Sequence, residues 1–183
     1  MDRPRATLTR EPVTLRRWRV ADEDVIYRAV MESIDRLQPW MPWAAGYDRG
    51  SAADFLRQCE QDWDSGAAYN YAIISDGAVA GSCGLMARIE PGGLEIGYWV
   101  RSGYTRRGLA TAAAAALTDE AFTIPGIEQV EIVHDTANVA SGGIPRKLGF
   151  ALIGRRPASA DKPAGGEDGT DMVWRLTRGP AGS

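Results

Sequence analysis

The chain has 183 residues, of which 25% are charged and 44% apolar, and its formal net charge is −3. This balance is typical of one globular domain, so we predict a single domain over residues 1–183 with its core at 10–176. A weakly acidic chain disfavours general binding to nucleic acid or anionic membranes, because both need a basic surface. Two cysteines without paired spacing predict neither a disulfide framework nor a metal site.

The first residues, MDRPRATLTREP, contain no apolar signal core. No apolar run reaches the roughly 18 residues that a membrane span needs. We therefore expect a cytoplasmic protein without a membrane partner. The number of subunits stays open between a monomer and a homodimer.

The N-terminal third predicts one strand and two helices. Val13–Trp18 has strand character, and the acidic segment after it favours a helix that runs through Ile34. Ser51 is a suitable cap for a second helix over residues 52–65, and Gly66 is a suitable terminator.

A proline-rich loop separates these two helices. Pro39 and Pro42 cannot continue a helix, so Trp40 and Trp43 are predicted to lie on a stiff loop. Large aromatic side chains usually bury most of their area, which favours core packing. A rigid aromatic loop can also form the floor of a binding groove. The sequence leaves both roles open.

Three antiparallel strands are predicted in the middle of the chain. Residues 69–75 and 78–87 are joined by Asp76-Gly77, a dipeptide favoured in tight hairpin turns. A further turn over Glu90–Gly93 leads to a strand at Leu94–Val100. Because side chains alternate along a strand, Leu94 and its even-numbered neighbours should share one face, which we expect to pack on the following helix.

An Ala-rich helix follows this strand. From Leu109 the sequence favours a helix of about 14 residues that ends before Pro125. The turn Tyr104–Gly108 places two arginines and a glycine at the helix start, where unpaired N–H groups and the helix dipole attract anions. Gly108 keeps the backbone open to a ligand. A phosphate-bearing cofactor fits this turn best, although a solvated turn before a core helix has the same composition.

The last third predicts strands at 129–133, 150–154 and 171–176 around one helix at 138–148. Pro145 lies inside that helix, so the alternative is a helix that begins only at Pro145, where proline is favoured in the first turn. Gly149 should end the helix, because glycine is common just after a helix C-terminus.

The remaining segments are a loop, a tail and a lone histidine. Residues 155–170 are polar, aperiodic and rich in Gly and Pro, which predicts a mobile loop, and 177–183 form a short tail. His134 is the single histidine, and no Cys or carboxylate stands at ligand spacing from it. We predict a structural role for it and no metal site.

Two motifs resemble those of a known family. Thr105-Arg106-Arg107-Gly108-Leu109-Ala110 resembles the Gln/Arg-x-x-Gly-x-Gly/Ala signature of the GCN5-related N-acetyltransferase (GNAT) superfamily, with Thr105 departing from the pattern. Asn138-x-x-Ser141 with Lys147-Leu148-Gly149-Phe150 resembles its second motif. Together with Leu94–Val100 and Pro39–Ala44, they resemble the RimJ/RimL-like branch, which modifies the N-terminal Ser or Ala of ribosomal proteins.

The resemblance implies an α/β GNAT fold with a mixed, splayed sheet of about seven strands and about four helices. It also implies acetyl-coenzyme A (acetyl-CoA) as co-substrate, lying in the gap between strands 94–100 and 129–133. The pyrophosphate would lie on the turn at 106–110. The implied cofactor-binding residues are Tyr98, Trp99, Val100, Arg106, Arg107, Gly108, Leu109, Ala110, Thr111, Asn138 and Lys147.

The implied reaction transfers an acetyl group to a primary amine. Glu95 is expected to remove the amine's proton, because many family members place their general base at this strand position. A backbone N–H near Tyr98–Val100 would polarise the thioester. Ser141 would protonate the thiolate in place of a tyrosine that many members carry where this chain has Pro145. The expected acceptor-binding residues are Trp40, Trp43 and Glu95.

The sequence leaves alternatives for the acceptor, for three site residues and for the class of protein. The family branch favours a protein N-terminus as acceptor, and a small amine such as an amino-sugar antibiotic or a polyamine is the alternative. Glu95 could instead be an ion-paired surface carboxylate, Asn138 an Asx turn and Ser141 a helix cap. A non-catalytic CoA-binding regulatory module is the hypothesis from another class, and the presence of both Glu95 and Ser141 counts against it.

Overall fold

One mixed sheet with helices on both faces organises the residues that the computed structural model describes, which are 3–89, 91–158 and 164–179. Eight strands are found there: β1 (Thr7–Arg10), β2 (Val13–Arg17), β3 (Ala68–Ser75), β4 (Ala78–Ile89), β5 (Gly93–Val100), β6 (Gln129–Asp135), β7 (Ala151–Pro157) and β8 (Thr170–Thr177). Their order across the sheet is β1-β2-β3-β4-β5-β6-β8-β7. The β5–β6 pair is parallel, whereas the other neighbouring pairs are antiparallel.

In the described part of the chain, five α-helices cover the two faces of the sheet. They are α1 (Glu23–Met31), α2 (Ile34–Leu37), α3 (Arg49–Ser65), α4 (Leu109–Ala121) and α5 (Val139–Lys147). Residues of α4 share one buried cluster with Leu94 and Ile96 of β5. Residues of α1 and α3 form a second cluster around Trp18, against which Trp99 of β5 packs. The predicted alternation of β5 between two faces is confirmed.

The predicted α/β fold is confirmed, with one strand and one helix more than expected. The additional strand is β1, which pairs with β2, and the additional helix is the four-residue α2. The predicted meander is present as β3, β4 and β5. Asp76 and Gly77 both have positive φ, at 51° and 75°, as a tight hairpin turn requires. Glu90, in the next predicted turn, lies outside the described residues.

Two predicted helix boundaries are wrong. The first helix ends at Met31 instead of running through Ile34, and a buried Ser33 lies in the break, where its hydroxyl donates to the Ala29 carbonyl at 2.9 Å. The third helix begins at Arg49, because Asp48 and not Ser51 is the cap: the Asp48 carboxylate accepts the Ser51 N–H at 2.7 Å.

The segments around α5 also differ from the prediction. The helix runs from Val139 through Pro145, so a start at Pro145 is wrong. β7 extends to Pro157, because its last residues pair with the start of β8, and residues 155–157 therefore belong to a strand and not to the predicted loop. Residues 159–163 of that loop and 180–183 of the tail lie outside the described residues.

The sheet opens between β5 and β6. Their parallel pairing runs from Gly93–Gln129 to Ile96–Ile132 and stops there. Beyond this point β5 continues beside β4 to Val100, while β6 continues beside β8 to Asp135. The predicted splay of the sheet is therefore confirmed, and it creates the space in which the candidate site lies.

Candidate active site

Free backbone groups of β5 line the opening. The N–H of Arg101, just after β5, donates to the Ala80 carbonyl of β4 at 2.8 Å. Because N–H groups along a strand alternate in direction, those of Tyr98 and Val100 point away from β4 and toward the opening. The β5–β6 ladder ends before these residues, so it does not use their N–H groups. They can therefore donate to a ligand.

A cleft of about 900 Å³, which we call the α4 cleft, lies between the end of β5, the start of α4 and α5. Nine of the predicted site residues line it: Trp40, Tyr98, Trp99, Val100, Arg106, Leu109, Ala110, Asn138 and Ser141. The structure thus brings residues of the first motif and of the second motif to one cleft.

The turn before α4 has the form of an anion site. Gly108 precedes the helix with φ of 72°, and Arg106 has φ of 61°. The Ala112 N–H bonds to the Gly108 carbonyl at 3.0 Å, so the N–H groups of the three residues before Ala112 are the unpaired donors of the helix start. A Cβ added at Gly108 would meet no atom within 4 Å, so the turn is open to a ligand.

Four of the predicted cofactor-binding residues are not part of the lining of the α4 cleft: Arg107, Gly108, Thr111 and Lys147. The Arg107 guanidinium contacts the Asp76 carboxylate and lies 5.2 Å from the centre of the Tyr104 ring, and it does not line the α4 cleft. Lys147 is exposed at the end of α5, outside the cleft lining. The Arg107 side chain is thus held in an ion pair that joins the turn to the β3–β4 hairpin.

A second cleft, of about 580 Å³, meets the first one at Trp40, Tyr98 and Ser141. We call it the aromatic cleft, because Trp43, Tyr47 and Trp99 line it. The rings of Trp43 and Trp99 lie 6.2 Å apart between centroids. Trp43 remains 44% exposed, so it forms a wall of the cleft and not a core contact. Trp40 is half-buried and borders both clefts.

Glu95 lines the aromatic cleft, and its side chain is only 13% exposed. Its carboxylate lies 3.1 Å from Arg88 Nη1 and 3.7 Å from Arg156 Nη2. The side chain is therefore both ion-paired and directed at the cleft. Gly97 lies beside it on the same face of β5 and also lines the cleft.

The start of α5 joins the two clefts. Asn138 is the helix cap, since its Oδ1 accepts the Ser141 N–H at 3.4 Å. Ser141 is consequently not the cap, and its hydroxyl forms no hydrogen bond with any described residue. That hydroxyl is available to a ligand at the junction of the clefts.

His134 has a structural role, as predicted. It is 8% exposed, and its Nδ1 lies 2.8 Å from the carbonyl of Asp135, which can only accept. Its Nε2 lies 3.0 Å from the indole nitrogen of Trp174, which can only donate. With these partners, the tautomer that satisfies both contacts carries its proton on Nδ1. Both nitrogens are used within the fold.

Asp135 is a site residue that no sequence motif indicated. This buried carboxylate accepts backbone N–H groups from Ala137, Asp168, Gly169 and Thr170. Burial alone would raise the pKa of Asp135, but these four hydrogen bonds outweigh it and the pKa is lowered. The residue thereby fixes the segment 164–170 beside the clefts.

The segment 164–170 closes one side of the aromatic cleft. Gly166 donates its N–H to the Pro39 carbonyl at 2.9 Å, and Glu167 lines the cleft. Asp171 and Tyr47 line it too, and the sequence singled out neither. No local pattern marks these residues, because long-range pairing alone brings them to the cleft.

Two further observations bear on the class of protein. Among residues 3–89, 91–158 and 164–179, no group of three or more His, Cys, Asp or Glu side chains could hold a metal ion. No helix in the same ranges has both the length and the apolar character needed to cross a membrane.

The splayed mixed sheet, with an open helix start at the mouth of the splay, gives the chain an α/β architecture with two adjoining clefts. The family whose description is "Acetyltransferase (GNAT) domain" matches residues 13–151. The chain belongs to this GNAT acetyltransferase family.

Named relatives and solved structures match most of the length of this chain, and the solved structures share its fold. YdaF of Bacillus subtilis (strain 168), named as a proposed ribosomal N-acetyltransferase, is 26% identical over 151 residues, which cover 79% of this chain and 81% of YdaF. RimL, an alpha-N-protein acetyltransferase of a ribosomal protein solved with coenzyme A, has a TM-score of 0.84 at 19% identity, over 93% of this chain and 97% of RimL. Mycobacterium smegmatis RimJ, solved with CoA-disulfide, has a TM-score of 0.79 at 23% identity, over 93% and 85%.

Proposed function

We propose that this acetyltransferase transfers the acetyl group of acetyl-CoA to a primary amine, and that the amine is the N-terminal α-amine of a protein or peptide. The meeting of the two clefts at Tyr98 and Ser141 carries this proposal. One cleft ends in an anion-attracting helix start, and the other carries a carboxylate and aromatic walls. Two substrates entering from opposite sides would meet at this junction.

The residues of the α4 cleft fit acetyl-CoA. The open turn with Gly108 and the unpaired N–H groups of α4 suits a pyrophosphate. The N–H groups of Tyr98 and Val100 suit the amide groups and the carbonyl of an extended pantetheine arm. Asn138 also lines this cleft. When bound, acetyl-CoA supplies an acetyl group activated as a thioester.

The chain's own groups then serve three needs of the reaction. Glu95 accepts a proton from the ammonium group, directly or through one water, so that the nitrogen lone pair can attack. A backbone N–H of Tyr98 or Val100 stabilises the negative charge that develops on the thioester oxygen. The Ser141 hydroxyl donates a proton to the departing thiolate and regains one from the nitrogen as the amide forms.

Three considerations favour the α-amine of a peptide as acceptor. An α-amine has a pKa near 8 and a lysine side chain a pKa near 10.4, so the α-amine loses its proton far more easily at neutral pH. The names of RimL and YdaF refer to ribosomal proteins, and that of RimL to an α-amine. A cleft of about 580 Å³ with aromatic walls is large enough for the first residues of a chain.

Thiol release from acetyl-CoA tests the proposal. The acceptors would be peptides beginning with Ser or Ala, the same peptides with blocked N-termini, aminoglycosides and polyamines. We expect release with the free peptides and none with the blocked ones. Release with a small amine alone would replace the peptide by that amine. Tight binding of acetyl-CoA without release for any amine would favour a non-catalytic module.

A further inference from the structure

One carboxylate of the aromatic cleft has no partner among the residues that the structure describes. Five carboxylates lie on this side of β5, β6, β8 and the segment 164–170: Glu95, Glu131, Asp135, Glu167 and Asp171. Glu95 is held by Arg88 and Arg156, and Glu131 is held by Arg175. Asp135 accepts four backbone N–H groups, and Glu167 accepts the N–H of Ala164. Asp171, in contrast, accepts no hydrogen bond and forms no ion pair within 4 Å with any described residue.

The strand register places Asp171 near Glu95. Asp171 pairs with Asp135 on β6 and with Arg156 on β7, so these three side chains lie on one face of the sheet. On β6, Glu131 lies two positions before Val133 and four before Asp135, so these three side chains share one face. Glu95 of β5 pairs with Glu131 and therefore lies on that face as well. Arg156, the direct neighbour of Asp171, reaches to within 3.7 Å of Glu95. Both carboxylates line the aromatic cleft.

We propose that Asp171 is an acceptor-binding residue whose carboxylate accepts a hydrogen bond from the ammonium group of the incoming amine, beside Glu95. This inference rests on the proposed function and deepens it. Asp171 is half-buried and lines a substrate cleft, so its carboxylate can exchange the water that hydrates it for a donor on the substrate. An ammonium group supplies a donor and a compensating charge together.

The two carboxylates have separate roles in this arrangement. A primary ammonium has three N–H groups. Glu95 takes the first proton, and the second leaves the nitrogen as the C–N bond forms, the C–S bond breaks and the thiolate receives a proton through Ser141. Asp171 takes no proton and binds the third N–H, which the amide product keeps. Acceptors that are tertiary or quaternary at nitrogen lack these donors and would be excluded.

The charges around Asp171 predict a pH dependence of acceptor binding. Burial raises the pKa of Asp171, the charge of Arg156 on β7 lowers it, Asp135 on β6 raises it and His134 on β6 lowers it, with a net increase. Glu95 of β5 and Glu167 of the segment 164–170 face the same cleft. Acceptor affinity should therefore fall as the pH falls through this raised pKa, because the protonated acid no longer attracts a cation.

Steady-state kinetics of Asp171→Asn, with a Ser-initiated peptide and acetyl-CoA, test the inference. Loss of a charge-assisted hydrogen bond should raise the KM for the peptide by about tenfold or more. The turnover number at saturating peptide and the KM for acetyl-CoA should change little. Asp171→Glu should restore part of the peptide affinity. The increase in peptide KM that we expect for the wild-type protein at low pH should be absent in Asp171→Asn.

Asp168→Asn is the matched control, since Asp168 is exposed and lines neither cleft. An unchanged peptide KM in Asp171→Asn, or an equal increase in Asp168→Asn, would overturn the inference while the wild-type protein still released thiol. Absence of thiol release in the wild-type protein would instead overturn the proposed function. Thermal unfolding of each variant shows whether a kinetic change reflects the cleft or the fold.

Discussion

The hydroxyl of Tyr98 donates to the backbone carbonyl of Ser141 at 3.3 Å, across the mouth between β5 and α5. This carbonyl needs a donor from outside the helix, because Pro145, four residues later, has no N–H to offer. Burial raises the pKa of Tyr98, so the hydroxyl stays protonated and remains a donor. The bond ties the strand with free N–H groups to the helix turn that carries Ser141. Pro145 thus helps to set the distance between the two walls of the site.

Gly108→Val should abolish binding of coenzyme A and leave a folded protein. Gly108 has φ of 72°, which a β-branched residue adopts only at a cost of about 1–3 kcal/mol, so the turn should change shape. Gly126→Val is the matched control, since Gly126 has φ of 82° and lies away from both clefts. Calorimetry would measure the affinity. Unchanged affinity in Gly108→Val would show that the phosphate site is elsewhere.

Trp43→Ala should raise the KM for the acceptor and leave coenzyme A affinity unchanged. Because Trp43 is 44% exposed, we expect the free energy of unfolding to change by less than about 1 kcal/mol. Trp63→Ala is the contrasting variant, because Trp63 is 4% exposed and such truncations cost about 3–5 kcal/mol. Denaturant unfolding and kinetics together separate the two. A large stability loss with normal acceptor kinetics in Trp43→Ala would contradict its placement as a cleft wall.

Glu95→Gln should lower the turnover number by about 10²-fold near pH 7, because the carboxylate that accepts the amine's proton is lost. Activity should partly recover as the pH rises, since more of the amine is then neutral, and coenzyme A affinity should not change. Glu128→Gln, which alters an exposed glutamate outside the clefts, serves as control. Near-normal turnover from pH 6 to 9 would remove Glu95 from the proton transfer.

Asp135→Asn should make the stability of the fold less dependent on pH in the acidic range. The pKa of Asp135 is lowered in the folded protein, so the carboxylate contributes stability that is fully present above its unfolded pKa of about 3.9 and is lost as the pH falls through the folded value. The variant lacks this contribution at every pH. Unfolding midpoints from pH 7 downward should therefore differ most at neutral pH and converge in acid. A constant difference would indicate that the charge of Asp135 is not the stabilising feature.

The parts of the fold that the sequence predicts are those with local signals. The Ala-rich composition of α4, the Asp76-Gly77 turn and the glycine after α3 each determine their structure within a few residues. Gly108 was likewise expected at the start of α4, and it directly precedes that helix. These elements formed where they were expected.

The parts that were missed depend on partners far away in the sequence. β1 has a single buried residue, Leu8, and is a strand because β2 lies beside it. Asp135 binds N–H groups more than 30 residues later, and Arg107 pairs with Asp76, 31 residues earlier. No window of sequence contains both members of such a pair. The polar residues of the aromatic cleft could not be predicted for the same reason.

Mass spectrometry of one peptide tests the central claim most directly. The peptide begins with a free Ser, contains one internal Lys and is incubated with acetyl-CoA and the wild-type protein at neutral pH. We predict a single acetyl group on the α-amine of the Ser, with the Lys unmodified and with no transfer to the same peptide when its N-terminus is blocked. Acetylation of the Lys in place of the α-amine, or no acetylation beyond that seen without the protein, would contradict this account.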